Sequence, residues 1–248
     1  MITTIEVKAH LRDVLELGGG TTNVLVLGSC RTVPYLNYLT RCNRMVAENY
    51  RIFAIEPNNW HWNENGAEVD IEEELKKLEN DDRILSVIQS ADIFIHEHYA
   101  NFRMFNTNKD SFPNIYEFGM MPDVDIAIPN FHNHFILEND FKDFGELPED
   151  YISRGEAEIE KFCGVCELSS FPEFAHHFRN TWRETRYFWR PNHVSAEFTR
   201  YIFELMNEKF LKLNLPDNYW THDALDDLFR EPHTSVTQRD RDGYRLLW

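Results

Sequence analysis

The sequence predicts an α/β fold, a three-layer α/β/α arrangement around a mostly parallel sheet. Three observations carry this. Four short apolar runs have strand length: Val24 to Leu27, Arg51 to Ile55, Ala91 to Ile95 and Val124 to Ile128. Stretches with helical character follow the first and second runs, as right-handed βαβ units require, and a Phe- and Asn-rich loop, residues 101 to 122, lies between the third and fourth. The first run is uninterrupted rather than alternating, which is the pattern of a strand covered on both faces.

The elements follow in order. Residues 5 to 17 carry apolar positions at Ile5, Val7, Leu11, Val14 and Leu15 and read as a short amphipathic helix, with Gly18-Gly19-Gly20 as a joint after it. After the first strand, residues 32 to 42 read as a helix with Pro34 in its first turn, where no backbone donor is needed. Residues 70 to 90 are charged and helical. Residues 152 to 163 and 172 to 186 read as helices. Ser195 to Leu213 carries the strongest helical stripe, Phe198, Tyr201, Ile202, Leu205 and Met206, and Ser195 caps or starts it. Residues 1–215 are read as one α/β domain. Residues 216–248 are read as a polar, irregular extension that packs on the surface or on a partner.

Composition narrows the function. The 248 residues are 42% hydrophobic and 14% aromatic, enough for a ring-dense core and unlike a disordered chain. The net charge of −17 argues against a nucleic-acid binder, which needs a positive surface, and against docking on anionic membranes. No apolar run approaches the roughly 20 residues of a bilayer span. Four cysteines, at 30, 42, 163 and 166, are too few for a disulfide scaffold, so the reading is a cytoplasmic protein with reduced thiols.

Parallel sheets bind ligands at the carboxyl ends of their strands. Those ends read Gly28-Ser29-Cys30-Arg31-Thr32, Glu56-Pro57-Asn58-Asn59, His96-Glu97-His98-Tyr99 and Pro129-Asn130-Phe131-His132. Gly28 permits a sharp turn from strand to helix. A cysteine just before a helix start has its thiolate favoured by unpaired N–H groups, and Arg31 adds a cation. Cys30 is therefore the candidate nucleophile, and the N–H groups of Ser29, Cys30 and Arg31 are candidate oxyanion donors. Ser29 is the rival nucleophile or a turn residue. The plainer alternative for Cys30 is a buried thiol filling space beside a glycine turn. His193, just before the strong helix, is the candidate base, and its plainer role is packing on an aromatic such as Trp189.

Other clusters carry competing ideas. His96 and His98 lie at i and i+2, and His132 and His134 repeat that spacing. They could hold a divalent ion, or simply hydrogen-bond within a site. His98, Asn130 and His132 are taken as substrate contacts, with no metal. Cys163-Gly164-Val165-Cys166 has no second pair at zinc-ligand spacing and reads as structural. His176 and His177 read as helix surface. Arg179, Arg183, Arg186 and Arg190 recur every three or four residues, so they read as one helix face. They either pair with the acidic surface or, through Arg186 and Arg190, clamp a phosphate near His193.

The segment "VLVLGSCRT" resembles the first block of the SGNH/GDSL hydrolase superfamily, in the Gly-Ser-Cys variant of GSCFA-type and WcbI-like polysaccharide biosynthesis proteins. Cys30 falls where the hydrolases carry their serine, and Ser29 where they carry Asp. "RPNHVSAEFTRYIFELM" and "DIAIPNFHNHFI" resemble the late histidine block and fourth-strand segment of the WcbI-like group. The resemblance spans most of residues 23 to 213. It implies an SGNH-like or flavodoxin-like sheet, and a coenzyme A-binding acyltransferase with an acyl-CoA donor and a sugar or other hydroxyl acceptor. The chain departs from the hydrolases in three places. His96-Glu97-His98 replaces their Gly-x-Asn block, Arg190 stands where they orient the histidine with Asp, and Val194 follows His193 where related sequences tend to have Pro. Two other classes stay open beside the acyltransferase or esterase: a non-catalytic binding or assembly module on the same fold, and a histidine-cluster metallohydrolase. A homo-oligomer is left open.

Overall fold

Val24, Leu25 and Val26 are consecutive and all buried, so both faces of the strand they form are covered. In a computed structural model this strand sits at the centre of a mixed α/β fold. The structure describes residues 15–18, 20–27, 32–41, 50–55, 86, 89–98, 124–129, 138, 147–190, 193–215, 219 and 236–248. The chain divides into two compact units, Met1–Ile126 and Ala127–Trp248.

The sheet contains β1 (Leu15–Gly18), β2 (Thr22–Leu27), β3 (Tyr50–Ile55), β4 (Ile93–His98) and β5 (Val124–Pro129), in the order β1-β3-β2-β4-β5. The last four run parallel. Strands β2, β3 and β5 extend the runs expected from sequence by one or two residues, and β4 begins two residues later and ends three residues later than Ala91 to Ile95. Numbered among themselves they lie 2-1-3-4, so the chain steps from β2 out to β3 and then crosses β2 to reach β4. Helix α1 (Val33–Arg41) follows β2 with Pro34 in its first turn and buries Tyr35, Leu36, Tyr38 and Leu39. That is the expected strand-to-helix unit.

The helix expected over residues 5 to 17 does not reach its end. Leu15–Gly18 is strand β1, antiparallel to β3, with Leu15 opposite Ala54 and Gly18 opposite Arg51. The outer edge of β3 offers a row of unpaired backbone groups, and a chain that can satisfy them gains a ladder that a helix would not supply. The rest of that stretch lies outside the described residues, as do residues 70–85, 87 and 88 of the expected charged helix. Its end shows one helical turn, Ser90 N–H to the Ser86 carbonyl.

The second unit contains α2 (Tyr151–Leu168), α3 (Pro172–Thr181), the hairpin β6 (Phe188–Arg190) and β7 (His193–Val194), and α4 (Ala196–Met206). A π-helical turn, Asn207–Leu211, continues α4, and α5 (Gln238–Tyr244) comes near the chain end. Helix α2 buries Tyr151, Gly155, Ile159, Phe162, Cys163 and Cys166 along one stripe. Phe162 packs among other aromatic rings of this unit. Its ring lies 5.0 Å from Phe178, 5.6 Å from Phe188 and 6.0 Å from Phe198. Such pairs add about 0.5–1.5 kcal/mol each beyond the area they bury.

Ser195 caps α4 as expected: its hydroxyl accepts from the Phe198 N–H. Of residues 216–248, the described end carries a helix. Thr237 and Asp240 form a capping box on α5, and Tyr244 is fully buried. The α2 stripe holds a place for it, because Gly155 leaves room for the Tyr244 ring, whose hydroxyl bonds the Tyr151 carbonyl at 3.1 Å. Among the described residues, no helix is long and apolar enough to cross a membrane.

Candidate functional site

In the strand order β3 and β4 flank β2 on opposite sides, so the order reverses between β2 and β4. A crevice opens at the carboxyl ends of two parallel strands where the order reverses in this way. Leu27, the last residue of β2, pairs with His96 of β4. Residues 28–32 join Leu27 to α1, so Gly28-Ser29-Cys30-Arg31 lies in sequence directly after the carboxyl end of β2. Gly28, Ser29, Cys30 and Arg31 themselves lie outside the described residues. Thr32, the next residue, is buried at the helix entrance, where the first N–H groups of α1 have no intrahelical acceptor. A helix entrance of this kind favours a negative charge.

The β4 side brings imidazoles to the same end. The strand persists through His98, three residues past the run read from sequence. The condition under which His96 and His98 share a face is therefore met in the backbone. His96 is half-buried and stacks on Phe94, with ring centroids 4.7 Å apart and planes at 20°. The side chain of His98 is outside what is described, and so are Asn130, His132 and His134. Strand β5 ends at Pro129, directly before them.

In the second unit, His193 opens β7 and pairs across the hairpin with Arg190. Phe188 pairs with Val194, so Trp189 is one residue too many on β6, and the hairpin carries a bulge beside His193. Bulges re-aim the residues next to them. The side chains of His193 and Arg190 lie outside the described set.

The arginines do not line one helix face. Helix α3 ends at Thr181, where Trp182, Glu184 and Thr185 turn back onto Phe178 and Thr181. Arg179 bonds Glu160 at 3.0 Å and Glu167 at 2.8 Å, and these bonds raise its pKa. Arg183 bonds Glu156 at 3.0 Å and the Tyr244 carbonyl at 3.1 Å, and lies over the Trp182 ring. Both belong to the acidic surface rather than to an anion clamp. Arg186 sits in the link before β6, where its Nε donates to the Phe188 carbonyl at 3.3 Å and its guanidinium lies 5.2 Å from the Trp248 ring.

Cys163 and Cys166 are free, buried thiols inside α2, one helical turn apart. Desolvation pushes the Cys163 thiol up to about 11 and Cys166 well above its ordinary value. Neutral, buried thiols are poor nucleophiles, which agrees with a structural reading of the Cys-x-x-Cys.

His177 is not helix surface. It is half-buried, stacks on Tyr201 with centroids 4.1 Å apart, and its Nε2 lies 2.8 Å from the Tyr187 hydroxyl. Sequence reasoning passed over this group. The signal available was the one-turn spacing of His177 and Thr181, which puts two polar side chains on one face of α3. No protein-family model and no curated protein matches this chain.

Proposed function

We propose that this chain is an acyltransferase, or a related esterase, working at the carboxyl-end crevice between β2 and β4 with Cys30 as nucleophile. The observation that supports it is the strand order. The reversal falls between β2 and β4, and the Gly-Ser-Cys-Arg segment is the connection that leaves β2 at that point. A cysteine between a parallel strand and a helix start meets the electrostatic requirement for a thiolate.

In this reading His193 accepts the proton of the Cys30 thiol. The thiolate attacks the carbonyl of a thioester donor such as acyl-CoA, and backbone N–H groups around Ser29 hold the oxyanion. Collapse expels the donor thiolate, which takes the proton from His193. An acceptor hydroxyl, of a sugar or another alcohol, then attacks the Cys30 thioester. His193 removes its proton and returns it to the departing Cys30 sulfur. Arg186, Arg190, His98, Asn130 and His132 are the candidate substrate contacts. A cytoplasmic setting, where acyl-CoA is available, fits the free thiols of Cys163 and Cys166.

The test is to incubate the purified protein with acetyl-CoA and examine the Cys30 peptide by mass spectrometry. An acetyl adduct on Cys30 is expected. Cys30→Ala should lose the adduct and lower turnover by roughly 10³-fold or more. Near-normal turnover in Cys30→Ala would replace the covalent route by direct transfer, with His193 activating the acceptor. Neither adduct nor coenzyme A binding would remove the acyltransferase reading.

A further inference from the structure

Tyr187 precedes β6 and is only 4% exposed. Its hydroxyl has two partners on α3, His177 Nε2 at 2.8 Å and Thr181 Oγ1 at 2.9 Å. Thr181 Oγ1 also donates to the His177 carbonyl at 2.8 Å. One assignment of hydrogens satisfies all three bonds. The His177 N–H donates to the Tyr187 hydroxyl, that hydroxyl donates to Thr181, and Thr181 donates to the His177 carbonyl. The ring closes on one turn of α3. Burial, with His176 beside it, lowers the His177 pKa, which favours the neutral imidazole. Its other face is held against Tyr201 of α4.

The backbone of Tyr187 does a second job. Its carbonyl accepts the N–H of Ser195 at 2.8 Å, and Ser195 is the N-cap of α4, two residues after His193. The hairpin is therefore tied at both ends of its short length. Its entry is anchored by the Tyr187 hydroxyl and its exit by the Tyr187 carbonyl, with the bulge at Trp189 between them.

We infer that Tyr187, held by His177 and Thr181, is a positioning residue that sets the hairpin carrying His193. This rests on the reading of His193 as the base. Space-filling alone does not require the hydroxyl, since a phenylalanine would pack among Phe174 and Phe178 equally well.

Tyr187→Phe keeps the ring and the carbonyl and removes only the hydroxyl. Two readouts are followed on the full chain by NMR: amide hydrogen exchange at Ser195 and the titration midpoint of the His193 imidazole. In the variant, exchange at Ser195 should accelerate about tenfold or more, as expected for losing the hydroxyl's two hydrogen bonds, while the Phe162 amide in α2 stays protected. The His193 midpoint should move. Unchanged Ser195 exchange, an unchanged His193 midpoint, or equal acceleration at Ser195 and Phe162 would each overturn the inference. Thr181→Val opens the same ring from the other side and must reproduce both changes, which covers a Tyr187→Phe protein that does not fold. Neither readout depends on turnover, so a wild-type protein without acyl transfer defeats the function reading and leaves this one to stand or fall separately.

Discussion

Asn23 and Asp92 clamp each other across β2 and β4. The Asn23 N–H donates to the Asp92 carboxylate at 2.7 Å, and the Asp92 N–H donates to the Asn23 carbonyl at 2.9 Å. The Asn23 side chain adds a bond to the Ser90 carbonyl at 2.8 Å. The clamp sits at the amino end of the pair, and its register puts Leu27 opposite His96 at the other end. A slip of one residue would turn every side chain of β4 to the other face. The pairing at the carboxyl ends of β2 and β4 is thus set by a polar contact at their opposite ends.

Asp92→Ala should therefore destabilise the first unit by about 1–2 kcal/mol, the cost of leaving a half-buried N–H without its acceptor. Urea unfolding measures it. Exchange at the Val24 and Leu25 amides should rise more than exchange at Phe162 in the second unit. A uniform rise would show that the clamp does not act locally.

The strands were legible because each is a short, nearly unbroken apolar run, and a strand covered on both faces can have no other pattern. Leu15 to Gly18 was not legible as strand, since what recruits it is the free edge of β3, far away in sequence. The arginine series failed for a related reason. Spacing of three or four identifies a helix face only while the helix lasts, and α3 stops at Thr181. Within the tail, composition hid the helix over Gln238–Tyr244. Its polar residues include a buried, fully engaged Asp240, which sequence alone cannot tell from a solvated one. The cap of α4 by Ser195 was legible from capping chemistry, and the parallel order of the strands whose carboxyl ends carry the candidate residues was legible too. The role of Tyr187 was not, because it depends on a hydroxyl meeting α3 and a carbonyl meeting α4.

The buried thiols predict an alkaline limb of stability. Cys163 holds its proton up to about 11 in the folded chain, against 9.0 for an ordinary thiol. Between those values the unfolded chain binds fewer protons than the folded one, so stability falls as pH rises from about 9 toward 11. Below about 9 the contribution is level. The urea midpoint of the wild type should drop across this range more steeply than that of Cys163→Ala. Parallel curves for the two proteins would reject the assignment. At pH 7.5, iodoacetamide should leave Cys163 and Cys166 unmodified in the folded protein.

Asp240 is expected to be the most sensitive polar position near the chain end. It is fully buried, and its carboxylate accepts from the Thr237 N–H at 3.0 Å, the Thr237 hydroxyl at 2.8 Å and the Glu138 N–H at 3.0 Å. Asp240→Ala strands these donors and should cost about 2–4 kcal/mol, whereas Thr237→Ala removes chiefly the cap and should cost about 1 kcal/mol. Denaturant midpoints of the two variants rank them. The reverse order would mean that the Glu138 contact contributes little.

Gly155 and Tyr244 test whether the chain end is an integral part of the second unit. A Cβ on Gly155 would lie 1.9 Å from the Tyr244 hydroxyl oxygen and 2.7 Å from the ring carbon bearing it. Neither α2 nor the buried ring can absorb that overlap by a rotamer change alone. Gly155→Ala should therefore destabilise by about 1–3 kcal/mol, despite alanine's better helix propensity of roughly 1 kcal/mol. Tyr244→Phe removes the closest atom but leaves the ring carbon, and alone it forfeits the bond to the Tyr151 carbonyl. The double variant should then be more stable than the sum of the two single losses by more than about 0.5 kcal/mol, a coupling that urea unfolding resolves. Additive losses would mean that α5 swings away from α2 when Gly155 is filled, and the tail would then act as a detachable element rather than a core one.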